Sequence, residues 1–472
     1  MLKPRFRRSA PDPALRCLFP VPEGEAPPEA ARAAAAAARF TGRAATLLDL
    51  PGGGVLVGLG RAARQLDWEK AGAAAARHCA ETPRLALDAR GIGGEAAAWL
   101  VAGMALGAWR FTAYRTRDVK PGLERVEVSV DDPAAATAAW AEAVAGIRGC
   151  LLARDLVSEP ANALTTLHFA KRLEALSEHG IHVDVWGRKR LERAGFGALL
   201  AVGQGAASPP RLAVLRWRGT HAGPPIAFVG KGLVFDTGGI SIKGAAGMEA
   251  MRADMAGAAA CAGAMLALAL RGSPAPAVAV LAIAENATGA ESYRPGDVLT
   301  TASGRTVEVV DTDAEGRLVL ADALHHAVTA FRPRAVIDLA TLTGAIVSAL
   351  GHHRAGLFAG DAALAAALAA AGEETGECLW PMPIGDRHRE DLRSDIADIR
   401  QCVPAGAGRF ASDASHAAAF LREFVGDVPW AHLDIAGVDT QDKAHALGPA
   451  GATGFGVRLL DRLGAAQFEA EP

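Results

Sequence analysis

The 472-residue chain has no Cys-x-x-Cys pair; its six cysteines (Cys17, Cys79, Cys150, Cys261, Cys378 and Cys402) are scattered. That spacing excludes a redox dithiol motif, argues against a disulfide framework and predicts reduced thiols in a cytoplasmic protein. Excess charge of one sign is also missing. Forty-nine Lys and Arg face 52 Asp and Glu, for a net charge of −3, so no global basic surface advertises nucleic acid. The apolar run at 255–270 is 16 residues long, short of the roughly 20 a membrane span needs, and predicts a buried helix. The first eight residues are basic, but Pro11, Asp12, Pro13 and Arg16 interrupt any apolar run after them, so no secretory signal is expected. Gly-x-Ser-x-Gly, Gly-x-x-x-x-Gly-Lys-Ser/Thr and His-Glu-x-x-His do not occur. Their absence removes the serine-hydrolase elbow, the P-loop and the two-histidine zinc helix. His325-His326 and His352-His353 are adjacent pairs, which cannot easily chelate one ion from a helix, and packing or surface roles are expected.

The chain is longer than one ordinary domain and half its residues are hydrophobic, so two domains with sizeable cores are expected. In the first part, 28–39 and 95–109 read as helices and 55–59 and 84–87 as short strands. Such alternation predicts a small α/β domain over 1–145. A helical connector at 133–154 leads to the second domain, 146–472.

The densest chemistry lies in Val310-Asp311-Thr312-Asp313-Ala314-Glu315-Gly316-Arg317-Leu318. Residues two apart on an extended segment share a side, so Asp313 and Glu315 are expected to aim together with Arg317 beside them. The β-branched stretch 305–310 predicts a strand, and 318–324 the start of an apolar helix. The acidic pair thus falls where a strand runs out into a helix, a common site position in α/β sheets. Upstream, the buried strand 225–230 leads into Lys231-Gly232-Leu233-Val234-Phe235-Asp236-Thr237-Gly238-Gly239. Its Gly-rich turns are expected to bring Lys231 and Asp236 together. Lys243 and Met251-Arg252-Ala253-Asp254-Met255 come next, with Asp254 at the polar end of the apolar helix.

Four carboxylates (Asp236, Asp254, Asp313 and Glu315) would repel one another in a dry cleft unless cations neutralised them. Two divalent metals balance that count, and an oxygen-rich site accepts Mg, Mn or Zn. A metal pair roughly 3.5–4 Å apart can share a hydroxide and clamp a carbonyl or phosphoryl oxygen. Taken singly, each carboxylate fits a helix cap or surface charge better than a ligand. Charge counting alone leaves both a peptidase and a phosphoesterase open.

The ordered blocks extend further. Asp311 to Leu318 resembles the signature Asn-Thr-Asp-Ala-Glu-Gly-Arg-Leu of the leucyl aminopeptidases of the cytosolic dimetal type. Gly230 to Met255 resembles that family's second block. Leu152-Ala153-Arg154-Asp155-Leu156-Val157, Glu159-Pro160-Ala161-Asn162 and Tyr293-Arg294-Pro295-Gly296-Asp297 also match. So do Ala340-Thr341-Leu342-Thr343-Gly344, Trp430-Ala431-His432-Leu433-Asp434-Ile435-Ala436-Gly437 and Thr453-Gly454-Phe455-Gly456. The likeness spans about residues 150–460.

That resemblance implies an α/β fold: a smaller N-terminal α/β domain, then a larger α/β catalytic domain with a mixed central sheet flanked by helices. It implies two divalent metals per subunit, Mn or Zn. Lys231, Asp236, Asp254 and Glu315 would hold the tighter one, and Asp236, Asp313 and Glu315 the more exchangeable one. A ligating Lys231 would have to be neutral. Lys243 would stay charged and stabilise the oxyanion, and Arg317 would hold a bicarbonate acting as general base. Met251, Thr341 and Gly344 would line the pocket for the first side chain. The implied activity is hydrolysis of the N-terminal peptide bond of short peptides through a metal-bridging water, with Leu or another apolar residue first. The implied assembly is a homohexamer, without membrane or nucleic-acid partners. A DNA-binding or scaffold role, known for some family members, is the alternative.

Two departures from the family pattern bear on chemistry. Asp311 stands where the family has Asn, which adds a charge two residues before Asp313 and could retune the exchangeable metal. Arg409-Phe410-Ala411-Ser412-Asp413-Ala414-Ser415-His416 stands where small residues and Gly are commoner, so substrate access could differ. His432 and Asp434 are expected to buttress the core.

Overall fold

A computed structural model describes residues 1–404 and 413–470. The chain divides into two compact units, Met1–Leu151 with Gln441–Gly451, and Leu152–Thr440 with Ala452–Pro472. The short segment Gln441–Gly451 thus belongs to the first unit, which a boundary drawn at 145/146 does not include.

The first unit is built on a six-stranded sheet in the order Lys3–Arg7, Arg125–Ser129, Arg84–Asp88, Arg16–Pro22, Val55–Gly60, Leu47–Asp49. All neighbours are parallel except the last pair. Val55–Gly60 is buried along its whole length, the run of apolar residues expected of a strand covered on both faces. The helices Gln65–His78 and Gly94–Gly107 pack closely because glycines on each admit the backbone of the other. A Cβ on Gly72 would lie 1.9 Å from the Leu100 carbonyl oxygen, and one on Gly103 would lie 1.8 Å from that of Glu69. The stretch expected to be helical over 28–39 keeps only Arg32–Ala37, preceded by one 3₁₀ turn.

The second unit holds a mixed eight-stranded sheet. Its order is Leu379–Pro381, Ala355–Ala359, Trp430–Asp434, Ala335–Ala340, Ile226–Asp236, Ala277–Asn286, Arg211–Trp217, His182–Trp186. The four central strands, from Trp430–Asp434 to Ala277–Asn286, are mutually parallel. Helix Ala256–Leu270 covers one face, and helices Glu315–Phe331 and Gly197–Gly203 cover the other. The 23-residue stretch Met248–Leu270 is long and apolar enough to cross a membrane, yet it is buried inside this unit, as a core helix is.

Two expectations about local structure need correction. Lys231 and Asp236 are not joined by a glycine turn: Ile226–Asp236 is one continuous 11-residue strand. Gly230 is there because the backbone of helix Ala256–Leu270 comes so close that a Cβ would meet Ala258 Cα at 2.5 Å. The stretch 305–310 contributes only Thr306–Glu308, which sits outside the central sheet. It pairs with Val298–Thr300 and Ile399–Arg400 in a small three-stranded sheet.

Candidate metal centre and substrate pocket

The four central strands end on the same side, and their carboxyl ends supply the site, as the switch-point rule for α/β sheets anticipates. Asp236 closes one strand and Asn286 its parallel neighbour, and the two stand opposite each other in register. Ala340 closes a third and leads into Thr341–Gly344, while Asp434 closes the fourth. A cavity of about 350 Å³ opens there. Its lining includes Lys231, Asp236, Lys243, Met251, Asp254, Asp313, Glu315, Thr341 and Gly344, with Ala250, Leu342, Val347 and Ala436 as further apolar wall and Asp439 as another acidic member. Nine of the ten residues singled out from sequence therefore meet at one cavity. Arg317 does not line it.

The charges fall into two groups. Lys231 Nζ lies 2.8 Å from Asp254 Oδ1 and 2.9 Å from Glu315 Oε1, and donates to the Thr341 carbonyl at 2.8 Å. Thr341 Oγ1 donates to the same Asp254 oxygen at 2.7 Å. Lys243 Nζ bridges Asp236, at 2.8 Å, and Asp313. Asp236 Oδ1 is fixed from behind by Asn286 Nδ2 at 2.7 Å and the Gly238 N–H at 2.8 Å. Gly316 makes the first group possible, because a Cβ there would lie 2.8 Å from Lys231 Nζ.

Four carboxylates against two ammonium groups leave the cluster net negative. Burial and then carboxylate repulsion drive the groups away from their ordinary ionisation. Burial disfavours the Lys231 ammonium, but Asp254, Glu315 and Asp236 together raise it above the usual lysine value. Burial, with Glu315 and Asp236 adding repulsion against the pull of Lys231, carries Asp254 well above the carboxylate range. Glu315 is raised by burial and by Asp236, and Asp313 is raised chiefly by burial. Such a cluster has to hold extra protons or extra cations. Cations fit the donor set. Ligand oxygens of Asp236, Asp313 and Glu315 lie within 4.8 Å of one another, and Asp254 Oδ2 and Glu315 Oε2 are buried without a hydrogen-bond partner. Free carboxylate oxygens and an amine suit Mn or Zn.

Asp313 and Glu315 converge, but not by strand alternation. Residues 312–313 form a turn, and Glu315 is the first residue of helix Glu315–Phe331. Two helical residues turn the chain by about 200°, so Arg317 points away from Glu315 and out of the cavity. Of the side chains that hold the turn, Gln401 and Asn286 were not singled out from sequence. Gln401, fully buried, accepts from the Val310 N–H at 2.6 Å and donates to the carbonyls of Asp311 and Ala314. Tyr293 and Asn286 both donate to the Thr312 carbonyl. Asp311 Oδ1 accepts from the Asp313 N–H at 2.9 Å, which an Asn carbonyl does equally well. On the other wall, Asp434 accepts from the Leu342 N–H and the Thr343 hydroxyl and so fixes 341–344. His432 bonds Asp338, to which the Trp430 indole also donates. His326 sits edge-on to Trp186 and Phe331, burial depressing its pKa to about 4, a packing role. Of the departure at 409–416, residues 409–412 lie outside the described residues, whereas Asp413 reaches Arg317.

Acidic and lysine side chains gathered at the carboxyl ends of parallel strands around an open cavity define a metal-dependent hydrolase. The catalytic-domain profile of the cytosol aminopeptidase family matches residues 151–461. A probable cytosol aminopeptidase of Brucella melitensis is 47% identical over 427 residues, covering 88% of this chain and 87% of the relative. The bottromycin maturation enzyme BotP in complex with Mn superimposes with a TM-score of 0.85 at 36% identity, over 96% of this chain and 98% of that one. The cytosol aminopeptidase of Coxiella burnetii does so with a TM-score of 0.85 at 30% identity, over 98% and 99%. The chain belongs to the cytosol aminopeptidase family. It is a metal-dependent aminopeptidase, a metallo-exopeptidase with the family's two-domain α/β architecture.

Proposed function

We propose that this chain removes single N-terminal residues from short peptides and prefers Leu, Met or another apolar first residue. The observation that carries this reading is the single cavity in which five candidate ligands and Lys243 face an apolar wall of Met251, Leu342, Val347 and Ala436. Such a wall discriminates weakly among similar hydrophobes, so a graded preference is expected rather than a strict one.

Lys231, Asp236, Asp254 and Glu315 would hold one divalent cation, and Asp236, Asp313 and Glu315 a second, Mn or Zn in each case. When bound, the cations would supply Lewis-acid polarisation, a nucleophilic hydroxide at neutral pH and an anchor for the substrate's free α-amine. Lys231 would join as a neutral amine, giving up the proton that its carboxylate partners now stabilise. Lys243 is the cation left for chemistry. Released from Asp313, its ammonium would donate to the carbonyl oxygen of the scissile bond and hold the oxyanion that develops there. The 341–344 segment, pinned by Asp434, would position the substrate backbone beside the wall.

The family resemblance further supports a homohexamer that admits only short or unfolded peptides, working in the cytoplasm. Aminoacyl-p-nitroanilides and Cys-Gly, assayed with apo protein refilled separately with Mn, Zn, Co and Mg, test the activity. Metal-restored release of apolar residues is the expected result. Phosphatase activity without peptidase activity would overturn the reading. Light scattering on a size-exclusion column tests the assembly, which a stable monomer would refute.

A further inference from the structure

The family resemblance gives Arg317 a bicarbonate partner, but in this chain the guanidinium already has an anion. Arg317 is buried on helix Glu315–Phe331. Its Nη1 donates to the Gln401 carbonyl at 3.0 Å, and its Nη2 donates to Asp413 Oδ1 at 2.8 Å. Asp413 opens the helix Asp413–Arg422, where a negative charge in the first turn is favoured. The same carboxylate belongs to the stretch in which this sequence departs from the small residues and Gly common in the family. Arg317 and Asp413 also stand away from the 350 Å³ cavity, which neither of them lines. Arg317 exposes 3% of its side chain and Asp413 43%, and a second anion at this guanidinium would have to share it with the Asp413 charge. Arg317 Nε is buried without a hydrogen-bond partner, but one N–H beside a carboxylate does not offer bicarbonate the two-point contact an anion takes from a guanidinium.

We propose that Asp413 takes the anion position on Arg317, so that this chain carries its own carboxylate where its family takes up bicarbonate, and that its turnover is independent of bicarbonate. Arg317 then acts as a positioning residue. It ties the first turns of the ligand-bearing helix to Gln401 and to the helix that Asp413 opens. The kinetic consequence rests on the peptidase reading above; the binding consequence does not.

The test pairs calorimetric titration of bicarbonate into the zinc-loaded protein with peptidase rates in CO2-depleted and bicarbonate-supplemented buffer. Wild type is compared with Asp413→Gly and Asp413→Asn. Wild type is expected to take up no bicarbonate at Arg317 and to show a flat rate. Either variant, having vacated the guanidinium, is expected to bind bicarbonate and to regain activity several-fold on its addition. Thermal melts identify a variant that fails to fold, and the other then decides. Wild-type binding that Arg317→Met abolishes would overturn the proposal, as would two folded variants that ignore bicarbonate in both measurements. If no metal supports turnover, the peptidase reading falls, and calorimetry alone still decides the anion.

Discussion

The cavity contains two lysine–carboxylate groups of the same chemistry in different surroundings. In the inner group Lys231, Asp254 and Glu315 expose only 3%, 6% and 2% of their side chains. In the outer group Lys243 and Asp313 expose 22% and 35%, and buried Asp236 forms the seam between the two. Charge in the inner group has no water to lean on, so its deficit has to be met by a bound proton or cation. The outer group can draw on solvent and release its partner at lower cost. If both groups take a cation as proposed, this difference in burial would make the inner position the tighter and the outer one the more exchangeable.

Glu315→Gln removes a ligand proposed for both cations and should have the largest effect. Both cations are expected to be lost, with activity down by roughly 10³-fold or more, since several kcal/mol of electrostatic stabilisation go with them. Elemental analysis and kcat/KM on the refilled variant check this. Asp313→Asn touches only the outer group. One cation should stay tightly bound, the other should weaken by about 10–100-fold, and high metal should restore the rate, which a metal titration of activity will reveal. A variant that loses both cations together would erase the proposed asymmetry.

A buried carboxylate outside the cavity provides a control for burial without a lysine partner. Glu377 Oε2 accepts from the N–H groups of Gly456 and Leu459, and burial pushes its pKa to about 7 against the opposing charge of Arg458. The folded state then holds this proton more tightly than the unfolded chain does. Its contribution is largest below the unfolded value near 4.5 and is lost as pH rises towards 7. Glu377→Gln should remove this fall, changing the stability difference between pH 5 and pH 8 by about 1–3 kcal/mol, as denaturant unfolding at the two pH values measures. The smallest effect belongs to Asp311→Asn. It preserves the bond to the Asp313 N–H and removes one charge, so kcat should stay within about twofold while the outer metal's affinity shifts modestly.

The membership of the cavity was legible because its charged residues cluster in short motifs beside Gly-rich or apolar stretches. Direction was not. Asp-x-Glu-x-Arg has equal spacing on paper, but a turn ends and a helix begins inside it, so the third charge swings away from the other two. Nor did the supporting side chains stand out. Asn286 matters because it falls opposite Asp236 in a parallel register 50 residues away. Gln401 is a single amide that carries no motif of its own. The strand expected at 305–310 shrank to Thr306–Glu308, since its β-branched residues serve a small side sheet. In the first domain, helix 94–107 and strands 55–60 and 84–88 fell close to their expected places because each is built on an unbroken apolar run.

The dependence of residues 310–314 on Gln401 makes the catalytic apparatus non-modular. A fragment ending at Gly360 would contain every proposed ligand, Lys243 and the 341–344 wall, yet lack the amide that gives the acidic turn its shape. The segment between the acidic turn and Gln401 can vary in length only if the chain still returns Ile399–Arg400 to the edge of Thr306–Glu308. Grafting the signature octapeptide onto another α/β scaffold would therefore transfer the ligands without the site.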